Sequence, residues 1–182
     1  LLCIGASVSA AEMLSISVDH EKERYTMRSA IWFDASVEQV YEIFRYWDNS
    51  TKFSSAIVES RDLPPDDLGR SGFRVKNQGC VLFFCKSFVR QGYLEAEQNV
   101  IVKAFADPEL SDFHFSNEIW TFEAKDGGTV VVYDLEMSPK FWIPPAIGPY
   151  LIKRKLRNSG GRAIDRIESL AQAVGTDVTG DE

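Results

Sequence analysis

Histidine is almost missing from this chain: 182 residues include only His20 and His114. No HExxH arrangement occurs, and Cys80 and Cys85 have no histidine near them, so a metal site is not expected. A glycine-rich phosphate loop and a nucleophile elbow are also lacking, which removes the commonest nucleotide-binding and hydrolase signatures. No cofactor is expected. Basic residues are outnumbered, 20 against 27 acidic, and the net charge of -7 argues against broad nucleic-acid binding. After the first residues no apolar run is long enough to span a membrane. Repeats, linkers and low-complexity segments are absent as well.

What is present is apolar bulk. The hydrophobic content of 45% includes 12 phenylalanines, enough for one domain with a wide core or a pocket with greasy walls. The first stretch, LLCIGASVSAAEM, is small and apolar, and Val8-Ser9-Ala10 satisfies a small-x-small cleavage rule. Residues 1–10 therefore read as the remnant of a signal peptide, with Ala11 as the mature start and export, to a bacterial periplasm, as the expectation. The alternative is a hydrophobic first strand; a lipoprotein anchor at Cys3 fits less well. In an oxidising compartment Cys80 and Cys85 form an even pair. Flanking a hairpin tip they would close it with a disulfide; two buried free thiols are the alternative.

Along the chain, residues 11–23 read as a polar lead-in, 24–175 as a single domain and 176–182 as an acidic tail. Arg24–Phe33 reads as the first strand. Ser36 then opens a helix, with Gln39 completing a capping box and Val37, Val40, Tyr41 and Phe44 forming its apolar face. Trp47–Ser50 breaks it, and a short turn runs to Phe53. Strands are expected over Ser54–Asp62, Ser71–Gly79, Cys85–Glu95, Asn99–Ala106, Phe113–Ala124 and Thr129–Ser138. Lys125-Asp126-Gly127-Gly128 supplies the turn of the last hairpin. Alternation puts Trp120 and Phe122 on one face, as it does Val131, Tyr133, Leu135 and Met137, while Asp134 and Glu136 point outwards. The chain closes on a long amphipathic helix whose stripe is Ile147, Leu151, Ala163, Ile164, Ile167, Leu170, Ala171 and Val174, with Gly175 as its stop. Gly160-Gly161 interrupts that stripe, implying a kink, room for something bulky, or close packing on the sheet.

The order of elements, the S-V-E-Q-V-Y-E-I-F helix from Ser36 to Phe44, the hairpin W-T-F…G-G-T-V-V and the closing amphipathic helix together resemble the START-like superfamily, also called SRPBCC. This is the polyketide cyclase/dehydrase and lipid-transport group, and the nearest branch looks like the coenzyme-Q-binding proteins and their ribosome-associating relatives. The resemblance spans roughly Arg24 to Val174 and implies an α+β helix-grip fold. In that fold a curved antiparallel sheet, here of about seven strands, wraps around the C-terminal helix and leaves a cavity for a lipid, quinone, sterol or polyketide. The chain departs from that branch in its expected export, its Cys-flanked tip and its Phe141-Trp142-Ile143-Pro144-Pro145 approach to the helix.

These readings converge on an exported binding or carrier protein for a hydrophobic small molecule, a lipid or isoprenoid quinone. The expected walls are Trp120, Phe122, Tyr133, Leu135, Met137, Ile147 and Leu151. The tip residues Leu82, Phe83 and Phe84 (with Val81), the aromatic approach Phe141, Trp142 and Ile143, and the cations Lys153, Arg154 and Lys155 behind Lys140 form a candidate gate facing anionic membrane. The alternative is that both segments fold inwards as core. A second function class is a cyclase or aromatase using Glu118, His114 or Tyr133 as acid or base; a third is an adaptor with a filled interior. Glu118 shares parity with Trp120, so it projects into the cavity or lies wet at its rim. His20 reads as solvated. Oligomeric state is left open.

Overall fold

In the computed structural model, residues 11–81, 84–143 and 148–177 are described. Eight strands form one antiparallel sheet: β1 (Glu12–Glu21), β2 (Arg24–Phe33), β3 (Ile57–Leu63), β4 (Gly72–Val81), β5 (Phe84–Glu97), β6 (Ile101–Ala106), β7 (Phe113–Lys125) and β8 (Gly128–Pro139). Their spatial order is β1-β2-β8-β7-β6-β5-β4-β3. After β2 the chain leaves the sheet through α1 (Val37–Arg45), a 3-10 turn (Trp47–Asn49) and α2 (Ser50–Phe53). It rejoins at the far edge as β3 and meanders back until β8 lies beside β2. The long helix α3 (Gly148–Asp177) then packs against α1, α2, β1 and β2.

Local chemistry accounts for several of these boundaries. Ser36 accepts a hydrogen bond from the Gln39 amide while the Gln39 side chain accepts from the Ser36 amide, so α1 starts on the expected capping box. Asp126 and Gly127 both take positive φ (53° and 80°), which a two-residue hairpin turn between β7 and β8 requires. Helix α3 runs through Gly160-Gly161 and past Gly175 to Asp177, so Gly175 is not its stop.

The expected polar lead-in is instead a strand, which brings the count to eight rather than about seven. β1 pairs with β2 along its length, but of its side chains only Val18 is fully buried, and its register shifts between Met13 and Ser15. Its turn is made by Lys22 at φ 55° with Glu23, without the glycine or asparagine that marks such turns. An edge strand with one wet face and an unmarked turn carries little strand signal.

The core gathers the inward side chains of the sheet with α1, the Trp47 turn and the C-terminal half of α3. Phe33, Val40, Trp47, Phe73, Ile164 and Ile167 all belong to this single cluster. On the opposite, outer face Arg28 pairs with Asp134 and Arg24 with Glu136, as strand parity requires. At the tip, the β4–β5 register sets Cys80 directly opposite Cys85.

The backbones of β5 and β6 leave no room for a side chain at Gly92. A Cβ on Gly92 would lie 1.9 Å from the Phe105 carbonyl oxygen and 2.9 Å from the Ala106 Cα, both backbone atoms with nowhere to go. Gly92→Ala should therefore destabilise the protein by about 2 kcal/mol or more, the range of a forced overpacking. A denaturant midpoint unchanged from wild type would show that the sheet is not held this tightly here.

Candidate functional site

Register divides the inner face of the sheet into rows. Val102, Trp120, Tyr133 and Ser29 form one; Ala104, Glu118, Leu135 and Met27 form the next. The first row is mostly closed. Trp120 and Tyr133 stack with centroids 5.1 Å apart and an interplanar angle of 14°, and Trp47 meets Trp120 edge-on at 5.8 Å. Phe122 lies deeper still, between Tyr41 and Phe44 of α1 at 5.5 and 5.6 Å. It is core filled by α1, not the expected pocket wall.

The second row carries charge. Glu118 forms an ion pair with Arg90 of β5, and the two side chains keep only 6% and 12% of their accessible surface. They meet across β6, whose inward residues Ala104 and Ala106 present only methyl groups between the two strands. A buried ion pair is a poor source of stability, since desolvating two charges offsets most of their attraction. Its presence on the inner face therefore needs another reason.

Further polar atoms share this face. Asn77 lies two residues along β4 from Val75, the partner of Arg90, and its Oδ1 is buried without a hydrogen-bond partner among the described residues. Ser116 lies two residues from Glu118 on β7, and its Oγ is likewise buried and unpartnered. Native proteins leave few such groups unsatisfied. Burial pushes the Tyr133 phenol up to about 12, against the opposing pull of the Arg90 cation. The same burial draws the Arg90 pKa down from its ordinary value, and Tyr133 opposes that shift. At neutral pH the face thus offers a cation held by a carboxylate, a neutral phenol, an amide oxygen and a hydroxyl, with Leu135 and Met137 beside them.

No known family profile matches the sequence, and no curated protein does either. Solved structures do. A STAR-related lipid transfer protein fragment from Xanthomonas axonopodis superposes with a TM-score of 0.65 at 15% identity, over 90% of this chain and 99% of that one. Human STARD10 gives 0.65 at 9% identity, over 97% and 75% respectively. The Zhui aromatase/cyclase from Streptomyces gives 0.57 at 10%, over 86% and 97%. The fold is START-like.

Within this START-like frame the other expected site residues separate. Leu135 and Met137 share the polar face, whereas the side chains of Ile147 and Leu151 lie outside the described residues. His114 is exposed beside a register shift in β7, away from the Arg90–Glu118 pair, so it is not part of this site. Its neighbour Asp112 is committed elsewhere: its carboxylate accepts the Val89 amide at 2.7 Å. His20 is not simply solvated; its ring lies 4.6 Å from that of Tyr25. Among the described residues no group of His, Cys, Asp and Glu could hold a metal ion.

The approach to α3 also splits. Phe141 turns inward onto Phe88 and Phe113, at 5.7 and 5.8 Å, with the Lys86 ammonium 4.7 Å from its centroid, so it is not an exposed gate residue. Lys140 donates to the carbonyls of Pro108 and Ser111 and is a loop tie rather than a free cation. Ile143 and Lys153 are half-buried and Arg154 is exposed, while Trp142 is 79% and Tyr150 66% exposed. Leu82 and Phe83, and the side chains of Phe84 and Lys155, lie outside the described residues. No helix among the described residues is long and apolar enough to cross a membrane.

Arg90 is the buried charge that strand reading missed. In Phe88-Val-Arg90-Gln-Gly92-Tyr-Leu94 it holds the parity of Phe88 and Leu94, and an arginine on an apolar stripe is the signal that would have found it.

A neutral Tyr133 has a testable consequence. Its pKa is raised above the ordinary value of 10.0, so its stabilising contribution is complete below that pH and is lost as pH rises through about 12. Tyrosinate absorbance followed against pH should contain a component near 12 that Tyr133→Phe removes. A component near 10 that disappears in the variant would mean the phenol is not desolvated.

Proposed function

We propose that this chain binds and carries a hydrophobic small molecule, a lipid or isoprenoid quinone, between the concave sheet and α3. The observation that carries the reading is the buried Arg90–Glu118 pair, with the unpartnered Asn77 Oδ1 and Ser116 Oγ on the same inner face. A cavity wholly lined by hydrocarbon would hold a tail but not orient it; here a polar head has donors and acceptors waiting. The fold shared with a STAR-related lipid transfer protein supports the same class of cargo.

A cyclase or aromatase is the second reading, favoured by the convergence of Arg90, Glu118 and Tyr133 and by the fold shared with an aromatase/cyclase. Its chemistry is constrained. Glu118 is committed to an ion pair with Arg90, and a phenol pushed to about 12 is a hydrogen-bond donor rather than a base at neutral pH. These residues suit holding a carbonyl or hydroxyl better than shuttling protons.

Exposed Trp142 and Arg154 support delivery at an anionic membrane surface, aromatic at the headgroups and cation above. The small-x-small sequence before Ala11 supports a site of action outside the cytoplasm, in a bacterial periplasm. The facing register of Cys80 and Cys85 supports a bridged hairpin tip in that setting.

Protein purified from its own host and analysed by native mass spectrometry with organic extraction should release a stoichiometric amphiphile. The paired replacement Arg90→Met with Glu118→Leu should fold at least as stably as wild type, because it removes both buried charges. It should retain far less of an amphiphile with a polar head. An empty wild-type protein that takes up no lipid from vesicles would eliminate the carrier reading, and turnover of a polyketide would select the enzyme. For the tip, the intact mass should rise by a pair of hydrogens on reduction; an unchanged mass would leave two thiols.

A further inference from the structure

Glu168 is a charged side chain of α3 with 8% of its surface exposed. Its two carboxylate oxygens have separate tasks. Oε1 accepts the Asp34 amide at 3.1 Å, where β2 hands over to α1, and Oε2 accepts the Ala11 amide at 2.9 Å, just ahead of β1. One helical turn later Gln172 donates to the Asp34 carbonyl at 3.4 Å. The grip of α3 on the edge of the sheet is therefore fastened at this carboxylate. Yet among the described residues no lysine or arginine forms a salt bridge with it. A buried carboxylate served only by neutral donors is expensive to desolvate.

The atom that Oε2 touches is the nitrogen of Ala11, and Val8-Ser9-Ala10 stands immediately before it. We propose that the chain is cut between Ala10 and Ala11, and that the α-ammonium so created is the counter-ion of Glu168. The chemistry balances with water and an export-pathway peptidase. Hydrolysis leaves Ala10 with a carboxylate and turns the Ala11 amide nitrogen into an amine, which takes up a proton. No backbone movement is needed to form the pair, because that nitrogen already lies at ion-pair distance from the carboxylate. Cleavage replaces a neutral donor by a charged one, and such bonds are roughly twice as strong.

The consequence is a fold completed by its own processing. Before the cut, Glu168 is held by amide hydrogen bonds alone and the chain is easier to unfold for passage through a membrane. After it, the mature terminus locks the helix that covers the sheet. This inference rests on the export part of the function proposed above and is independent of the ligand.

The full precursor, expressed in its native host, should yield protein whose first residue is Ala11. Two purified chains, one starting at Ala11 and one at Ser9, are then compared, each with Glu168 and with Glu168→Gln. With Glu168 the shorter chain should favour the folded state about fivefold more, from the difference between neutral and charged hydrogen bonds. That corresponds to melting about 2–4 °C higher. With Glu168→Gln the two lengths should melt alike. Should that variant fail to fold, the wild-type amine decides. Paired with a carboxylate, it should react with an amine-selective acylating reagent about tenfold more slowly than in an unstructured peptide, the effect of one unit of raised pKa. Export with a start elsewhere would overturn the pairing while leaving export intact, and an uncut chain retained in the cytoplasm would overturn both. Equal melting of the two lengths with Glu168 present, or an amine of ordinary reactivity, would also overturn it.

Discussion

Covering one curved apolar face is the constraint on which the rest of this molecule depends. Eight antiparallel strands with a concave inner surface cannot leave that surface in water. Helix α3 supplies the cover, with Ile164, Ile167 and Ala171 packed into the common core and Glu168 holding two backbone amides beside them. Burying a side chain such as Ile167 is worth about 1.5–3 kcal/mol, so a few such contacts secure one half of the helix. The function proposed here needs only that half to be permanent.

The contrast between the two regions of the inner face follows from what covers each. Around Phe122 and Trp120, side chains from α1 and the Trp47 turn fill the space with stacked and edge-on rings. One row along the same face the sheet presents Glu118, Arg90, Ser116 and Asn77 instead. Charges in such a place cannot be explained by stability, because an apolar pair of equal volume would do as well or better. Under the function proposed above they serve as recognition groups held in place before a ligand arrives.

Much of the framework is legible from spacing alone. Ser36 and Gln39 announce the first helix, Asp126-Gly127 the last hairpin, and the parity of Trp120, Tyr133 and Leu135 their common face. Other features leave a fainter trace. β1 is a wet edge strand whose turn depends on Lys22 at positive φ, so neither its alternation nor its turn stands out. Phe141 reads as an exposed aromatic until Phe88 and Phe113 are seen to receive it.

What the sequence determined by itself is what depends on near neighbours: caps, turns, strand parity and the amphipathic stripe of α3. These follow from backbone geometry repeating every two or 3.6 residues. Tertiary structure alone decided which inward residues are core and which are site. Arg90 of β5 meets Glu118 of β7 across β6, and Glu168 meets Ala11 across 157 positions because α3 returns to the first strand. Such encounters depend on the order of strands in the sheet and on where the helix returns, and no local spacing encodes either.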